Sequence, residues 1–485
     1  MAAITDINLL RLSDEQKTVF ETILQGHNVF LSGGAGTGKS FLIQAIKNHL
    51  PSIKAARENC SVRSEDADTN SHTIHVKMHR VRVTALTGCA AILLGRGSKT
   101  LHSWAGIGKG QGSVSELVAK IRYGKAKRNW LTTDLLIIDE ISMLTTELLE
   151  KLDGIAKRMR SSCQPFGGIQ VVFVGDFFQL PPVIKDAQQS AEQNIFAFQS
   201  PVWNTIIRPE HEIHLKQIHR QSDPIFQKIL NETRLGKLTP ESCEIIKSRI
   251  GLNWQSAKIR PTLLFPRRTE VDMINETNLR ALKGTRHSYK VDLTFSEKTP
   301  IGFDKKNPDF LRTLDIMDRD SSYVSELILI EGAQVMLIYN LDIERGLSNG
   351  SRGVITGFDA TAGNIPIVEF SNGIRIPVGR QSWEVEDYDG IFRTQIPLRL
   401  AYACTIHKSQ GASIDCALID IGTSTFEYGQ AYVALSRVRS IEGLYIHKFS
   451  PEAVRAHPLV VSRFNPNNMV LPINIILASQ SKNEQ

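Results

Sequence analysis

The chain has 485 residues, 41% hydrophobic and 22% charged, with a formal net charge of +7. At roughly 100–200 residues per domain this predicts two to four domains with substantial cores, and no apolar run approaches the roughly 18–20 residues of a membrane span, so no membrane partner is expected. The six cysteines (Cys60, Cys89, Cys163, Cys243, Cys404, Cys416) form no C-x-x-C pair, which points away from a disulfide framework or zinc ribbon and toward reduced thiols in an intracellular protein. Residues 1–11 carry neither a signal-peptide core nor an Arg-rich transit bias. The expected placement is intracellular: nuclear or mitochondrial in a eukaryote, cytoplasmic otherwise. The basic surplus suits a polyanionic partner, because Lys and Arg contacts to phosphate supply most sequence-independent nucleic-acid affinity.

In chain order, short apolar runs recur at Val29-Phe30-Leu31, Val81-Arg82-Val83, Leu135-Leu136-Ile137-Ile138 and Val171-Val172-Phe173-Val174, separated by helical patterns such as 41–50 and 145–159. Runs of this kind read as buried parallel strands. The alternation predicts a doubly wound α/β domain with its chemistry at the carboxyl ends of the strands.

The first strand runs into Gly33-Gly34-Ala35-Gly36-Thr37-Gly38-Lys39-Ser40, which matches G-x-x-x-x-G-K-[ST] between a strand and a helix. Glycines let successive backbone N–H groups turn inward around phosphate oxygens. Lys39 is placed to reach the β- and γ-phosphates and the Ser40 hydroxyl to ligate Mg²⁺. Asp139-Glu140 ends the third run, predicting Asp139 in the Mg²⁺ shell and Glu140 as the group that orients and deprotonates water. Gly175-Asp176-Phe177-Phe178-Gln179 ends the fourth, and the Gln179 amide can bond both attacking water and phosphate.

Three stretches interrupt this pattern. Residues 54–82 are polar and contain Cys60, His72, His75 and His79 at spacings that fit no standard zinc module; a solvated loop is expected. Residues 104–130 are rich in Gly and Lys/Arg. Within them Lys120, Arg122, Tyr123, Lys125, Lys127, Arg128 and Trp130 interleave basic and aromatic side chains, which suits either a solvated helix face or a nucleic-acid backbone contact. Residues 339–397 carry strand-length runs with Asn349-Gly350 and Asn372-Gly373, two type I′ hairpin signals, and predict a small β module inserted in a second α/β domain.

Taken in order, Leu12-Ser13-x-x-Gln16, the phosphate loop, Asp139-Glu140 and Gly175-Asp176-x-x-Gln179 resemble superfamily-one helicases. Pro165-Phe166-Gly167-Gly168-Ile169-Gln170, the run 400–411 with Thr405-Ile406-His407-Lys408-Ser409-Gln410-Gly411, and Gly429-Gln430-Ala431-Tyr432-Val433-Ala434-Leu435-Ser436-Arg437 narrow the resemblance to the Pif (petite integration frequency) family. It covers about residues 12–444. The resemblance implies two RecA-like parallel-sheet domains (1–205; 206–338 with 398–485), an SH3-like β barrel at 339–397, and 104–130 as a wedge element. It implies ATP in the interdomain cleft with Mg²⁺, Gln16 on the adenine edge, Gly411 in the nucleotide set, and Arg220 and Arg437 reaching the γ-phosphate from the second domain. Thr87, Gly88, His102 and Trp104 in the first domain, and Thr405, His407 and Ser409 in the second, are assigned to DNA, with a core position as the alternative for Trp104. The implied activity is ATP-dependent 5′-to-3′ translocation and unwinding by a monomer. Its partners are single-stranded DNA and forks, with G-quadruplexes or RNA–DNA hybrids as further substrates. A RecD-like motor subunit and a non-hydrolysing nucleic-acid clamp are the competing readings.

Overall fold

A computed structural model describes residues 11–464, apart from 66–79, 183–194, 255–259, 266–267, 300–301, 343–344, 386–387 and the single positions 96, 125, 298, 322 and 389. The first sheet comprises β1 (Val29–Gly33), β2 (Val81–Ala85), β3 (Lys99–Thr100), β4 (Leu135–Asp139), β5 (Gln170–Gly175) and β6 (Glu212–Leu215). Its order is β3-β2-β4-β5-β1-β6, with every pairing parallel. Alternate residues of each central strand enter separate cores. Phe30, Leu136, Ile138, Val171 and Phe173 face one layer, whereas Val29, Leu31, Leu135, Ile137, Val172 and Val174 face the other. A sheet covered on both faces needs apolar residues at every strand position, which is why these strands read as continuous hydrophobic runs.

After β6 the chain crosses to a second sheet and lays down β7 (Thr262–Phe265). It then leaves through β8 (His287–Lys290), β9 (Asp292–Phe295), β10 (Glu326–Leu329), β11 (Gln334–Leu337), β12 (Arg352–Asp359), β13 (Ile365–Phe370), β14 (Arg375–Pro377), β15 (Gln381–Glu384), β16 (Ile391–Gln395) and β17 (Leu398–Leu400). It returns with β18 (Ala403–Thr405), β19 (Ala417–Ile421) and β20 (Leu444–Phe449). The second sheet is β18-β7-β19-β20, again all parallel. The two parallel sheets are RecA-like, and the excursion between β7 and β18 is the β module.

Several expectations need correction. Strand β6 pairs with β1, so the first sheet continues to Leu215 and not merely to residue 205. The module is wider than 339–397. Its five-stranded antiparallel sheet, β14-β13-β12-β11-β17, borrows strands from both sides of that interval, and β8 to β10 form or join further small sheets. Neither Asn-Gly pair forms a type I′ turn, because Asn349 and Asn372 do not take positive φ whereas Gly350 and Gly373 do. Ser371, Asn372 and Gly373 make a three-residue loop closed by Phe370 and Ile374, with only the last residue left-handed. The helix after the phosphate loop runs Lys39–Glu65, so residues 54–65 continue it instead of opening a loop. His72, His75 and His79 lie outside the described residues.

Residues 104–130 are also less separate than expected. Helices Val114–Arg122 and Lys127–Thr132 bury Leu117, Val118, Ile121 and Trp130 in the same core as β4 and β5. What projects is the tip between them, where Tyr123 is 94% exposed. Among the described residues no helix is long and apolar enough to cross a membrane.

One half-buried histidine adds an acid sensitivity to the fold. His214 on β6 lies edge-on to the rings of Phe30 and Phe464. Burial, helped by the charge of Arg234, pushes it down to about 4. Its folded value lies below the ordinary histidine value, so the unfolded chain binds the proton more readily. Stability from this group is therefore complete above about pH 6.5 and is lost as pH falls toward 4. We expect an acid-side loss on the order of 2–3 kcal/mol between those limits. His214→Gln should flatten that segment of the curve of unfolding free energy against pH.

Candidate nucleotide and nucleic-acid site

The phosphate loop is held open by two close approaches. Gly36 (φ 85°) and Gly38 (φ 83°) are left-handed. A β-carbon on Gly36 would stand 2.6 Å from Cβ of Arg220, and one on Gly38 2.5 Å from Nε2 of Gln16. Any larger residue would be strained and would also collide. Gln16 is itself fixed by a capping box with Ser13 at the start of helix Asp14–Leu24. Lys39 Nζ donates to the carbonyls of Gly33 (2.8 Å) and Gly34 (2.9 Å). The Ser40 side chain is exposed.

The acids meet the loop at the strand ends. Burial and the neighbouring Glu140 push Asp139 up to about 7, although its Oδ1 accepts the Glu140 N–H at 2.8 Å. Burial also raises Glu140, against the pull of Lys39 and Arg437. Burial lowers Lys39, opposed by Asp176, Glu140 and Asp139. Among the described residues no three acids, histidines or cysteines cluster as a ready-made metal site, so a divalent cation such as Mg²⁺ would rest on hard oxygens like that of Asp139 together with the phosphates it accompanies. Glu140 itself has φ 57° and ψ 43°. A non-glycine residue held there is unusual and costs roughly 1–3 kcal/mol, a feature common at functional positions. Gln179 is buried on the turn closed by its own N–H to the Asp176 carbonyl.

Groups from the second half face this cluster. Gln410 donates Nε2–H to Oε2 of Glu140 at 2.8 Å. Arg437 is 2% exposed. Its guanidinium bonds the Val433 carbonyl (2.9 Å) and the Ser436 hydroxyl (2.8 Å) while its charge acts on Glu140. Arg220 lies five residues beyond the end of β6, in the crossing from the first sheet and not in the body of the second. Its backbone N–H and that of His219 donate to the Gly36 carbonyl, and its guanidinium reaches the Ser436 carbonyl at 3.1 Å. Burial, then Arg437, pushes it down to about 9. Gly411 (φ 78°) follows Gln410 directly, and a β-carbon there would stand 3.0 Å from Cδ1 of Leu93 on helix Gly88–Leu93.

Four residues in this cluster escaped the sequence reading: Gln410, Asp176, Arg234 and Tyr432. Asp176 is fully buried, and Arg234 forks onto it through Nε (2.9 Å) and Nη2 (2.8 Å). Tyr432 donates to Asp176 Oδ2 (3.3 Å) and accepts the Ala35 N–H (2.7 Å). Gln410, Asp176 and Tyr432 lie inside quoted motifs and were legible as neighbours of assigned residues. Arg234 lies in none, and no sequence signal marks it.

The residues assigned to DNA divide. Thr87 caps helix Gly88–Leu93 by accepting the Ala90 N–H, and both Thr87 and His102 are partly exposed. His407 is exposed at the corresponding turn of the second half. Trp104 is a correction: it is 2% exposed, its ring lies 4.7 Å from that of Trp130, and it offers no face to a base. Ser409 is another, fully buried with its hydroxyl donated to the Ile406 carbonyl. Thr405 is buried too, and its oxygen accepts the Lys408 N–H, so it shapes the turn that presents His407.

Two RecA-like sheets facing each other across a phosphate loop define the class: a two-lobed P-loop protein. The chain belongs to the PIF1-like helicase family. The profile of that family matches residues 11–62 and 68–242, and that of the 2B domain of the DNA helicase Pif1 matches 323–358. The ATP-dependent DNA helicase PIF1 of Xenopus laevis is 36% identical over 458 residues, which are 94% of this chain and 64% of that protein. The chain thus spans a little under two thirds of that relative's length. The crystal structure of Pif1 helicase from Candida albicans is 36% identical with a TM-score of 0.68, covering 93% of this chain and 98% of that one. The crystal structure of Pif1 helicase from Bacteroides in complex with ADP-AlF3 and single-stranded DNA is 26% identical with a TM-score of 0.59, covering 97% of each.

The burial of Trp104 yields a test. Trp104→Ala should cost about 3–5 kcal/mol of stability in a urea titration, as large aromatic deletions in cores do. Trp104→Phe should bind a single-stranded oligonucleotide as the parent does. A folded Trp104→Phe protein with tenfold weaker binding would restore the stacking role.

Proposed function

We propose that the chain is an ATP-dependent DNA helicase that moves 5′-to-3′ on single-stranded DNA and unwinds duplex or structured DNA. The observation that carries this is the convergence of Lys39, Asp139 and Glu140 from the first half with Gln410 and Arg437 from the second. Chemistry that needs both halves can be coupled to their relative motion. The family, the ADP-AlF3 and single-stranded DNA held by the Bacteroides relative, and the basic surplus of the chain support the same reading. Polarity rests on the family resemblance.

In this mechanism the triphosphate lies along the loop, and Lys39 exchanges its two carbonyl partners for phosphate oxygens. Glu140, raised by burial, accepts the proton of the attacking water, and Gln179 helps to orient that water. Arg220 and Arg437 stabilise charge developing on the transferred phosphoryl group, a role that can contribute 10³–10⁵ in rate in related chemistry. Ser40 and Asp139 are the residues that would hold Mg²⁺, which neutralises phosphate charge when bound. Gln410 holds Glu140 and thereby ties the base to the second half. Gln16 reads the adenine edge, which favours ATP. Thr87, Gly88, His102 and His407 contact the DNA backbone, with Thr405 and Ser409 shaping the turn behind them. The β module, redrawn as residues 287–400, borders the exiting strand. Forks, G-quadruplexes and RNA–DNA hybrids are proposed substrates, the working form is a monomer, and its setting is intracellular.

The deciding experiment measures ATP hydrolysis with and without single-stranded DNA, then strand displacement on 5′-tailed and 3′-tailed duplexes. DNA-stimulated hydrolysis with displacement of the 5′-tailed substrate alone is expected. DNA binding without hydrolysis would make the chain a clamp. Lys39→Ala should abolish hydrolysis while leaving oligonucleotide binding within a few-fold of the parent. Glu140→Gln should still bind nucleotide but turn over about 10²–10⁴-fold more slowly, because an amide cannot take the proton. Near-normal turnover would move the base elsewhere.

A further inference from the structure

Tyr432 joins the two halves at a point the hydrolysis scheme does not use. It lies on helix Gln430–Leu435 of the second half, five residues before Arg437. Its hydroxyl stands in the phosphate loop of the first half, accepting the Ala35 N–H at 2.7 Å, and a β-carbon on Gly34 would approach that hydroxyl to 3.3 Å. Burial raises Tyr432, so it remains a neutral donor, and its proton goes to Asp176 Oδ2 at 3.3 Å. Asp176 belongs to the first half but takes the fork of Arg234, on helix Pro224–Leu235 of the second, while the Arg234 guanidinium lies 4.2 Å over the Phe178 ring. The Ala35 N–H has one hydrogen, and inward-facing N–H groups are what such loops offer to phosphate. Tyr432 and a phosphate oxygen therefore compete for the same donor.

We propose that Tyr432 is a positioning residue that reports occupancy of the phosphate loop to the second half. A phosphate oxygen taking the Ala35 N–H displaces the hydroxyl, and the displacement passes along helix Gln430–Leu435 to Ser436 and Arg437. Asp176 and Arg234 hold the hydroxyl in register for this exchange. In the reverse direction, DNA bound by the second half reaches the loop through the same side chain. The inference rests on the reading of the loop as an ATP site.

The test uses the full chain and Tyr432→Phe, which keeps the buried ring and removes only the hydroxyl. Without its competitor the Ala35 N–H is free for nucleotide. Affinity for a non-hydrolysable ATP analogue should rise about three- to tenfold, the range set by the net value of one hydrogen bond. KM for ATP should fall in parallel, while the ratio of hydrolysis rates with and without single-stranded DNA drops. A purely structural role would weaken nucleotide binding, so tighter binding with lost stimulation separates the two. Arg234→Lys keeps the charge but not the fork. It should lower the stimulation ratio without tightening nucleotide binding, and it carries the test if Tyr432→Phe does not fold. A folded Tyr432→Phe protein with unchanged or weaker analogue binding, or either variant with the parent's stimulation ratio, overturns the proposal alone. A parent chain that binds no nucleotide overturns the ATP-site reading and this inference with it.

Discussion

Asp176 carries a carboxylate with none of its surface in water, and such a charge is tolerable only when fully compensated. Burial drives it toward the neutral acid, yet Arg234 overcomes this and holds it below the usual carboxylate range. The compensation comes from the other half of the molecule. Deleting the guanidinium while the halves stay together would leave a buried charge unpaired, a change that typically costs about 3–5 kcal/mol. This bidentate contact therefore ties the two halves together at the cleft.

Around that contact the cleft concentrates charge at low dielectric. Lys39, Asp139, Glu140, Arg220 and Arg437 are each displaced from their ordinary proton affinities, with burial the leading cause in every case. Such mutual perturbation is common where titratable groups are gathered for chemistry. Parallel strands make the gathering possible, since β1, β4 and β5 all end on one edge and deliver the phosphate loop, the acid pair and Asp176 to neighbouring positions. The second sheet supplies its groups through turns and a short helix, which can shift without disturbing the strands.

The strands of the first sheet were legible because burial on both faces demands uninterrupted apolar runs. The phosphate loop was legible because glycine is the only residue its backbone accepts at Gly36 and Gly38. The DNA assignments were less so. Trp104, Thr405 and Ser409 carry side chains suited to nucleic acid, but residue type does not reveal whether a side chain points outward. Arg234 was invisible for a related reason: its importance lies wholly in its partner, 58 residues away in sequence. The module boundaries were misplaced because β11 and β17 flank the Asn-Gly segment and pair with each other across it. Local turn signals cannot announce such a pairing.

The order of strands has a consequence for how the molecule is made. By Leu215 every strand of the first sheet has been synthesised, so that half can close while the chain is still emerging. Strand β7 has no such opportunity. Both of its neighbours, β18 and β19, lie beyond residue 402. At about 5–20 residues per second, β7 waits roughly seven to thirty seconds for its first partner. Throughout that interval Thr262–Phe265 lacks both of its sheet neighbours, and closing it onto Ala403–Thr405 spans the whole intervening module. The lobe that supplies Arg437 and Tyr432 thus cannot be completed, nor the cleft assembled, until nearly the whole described chain has been synthesised.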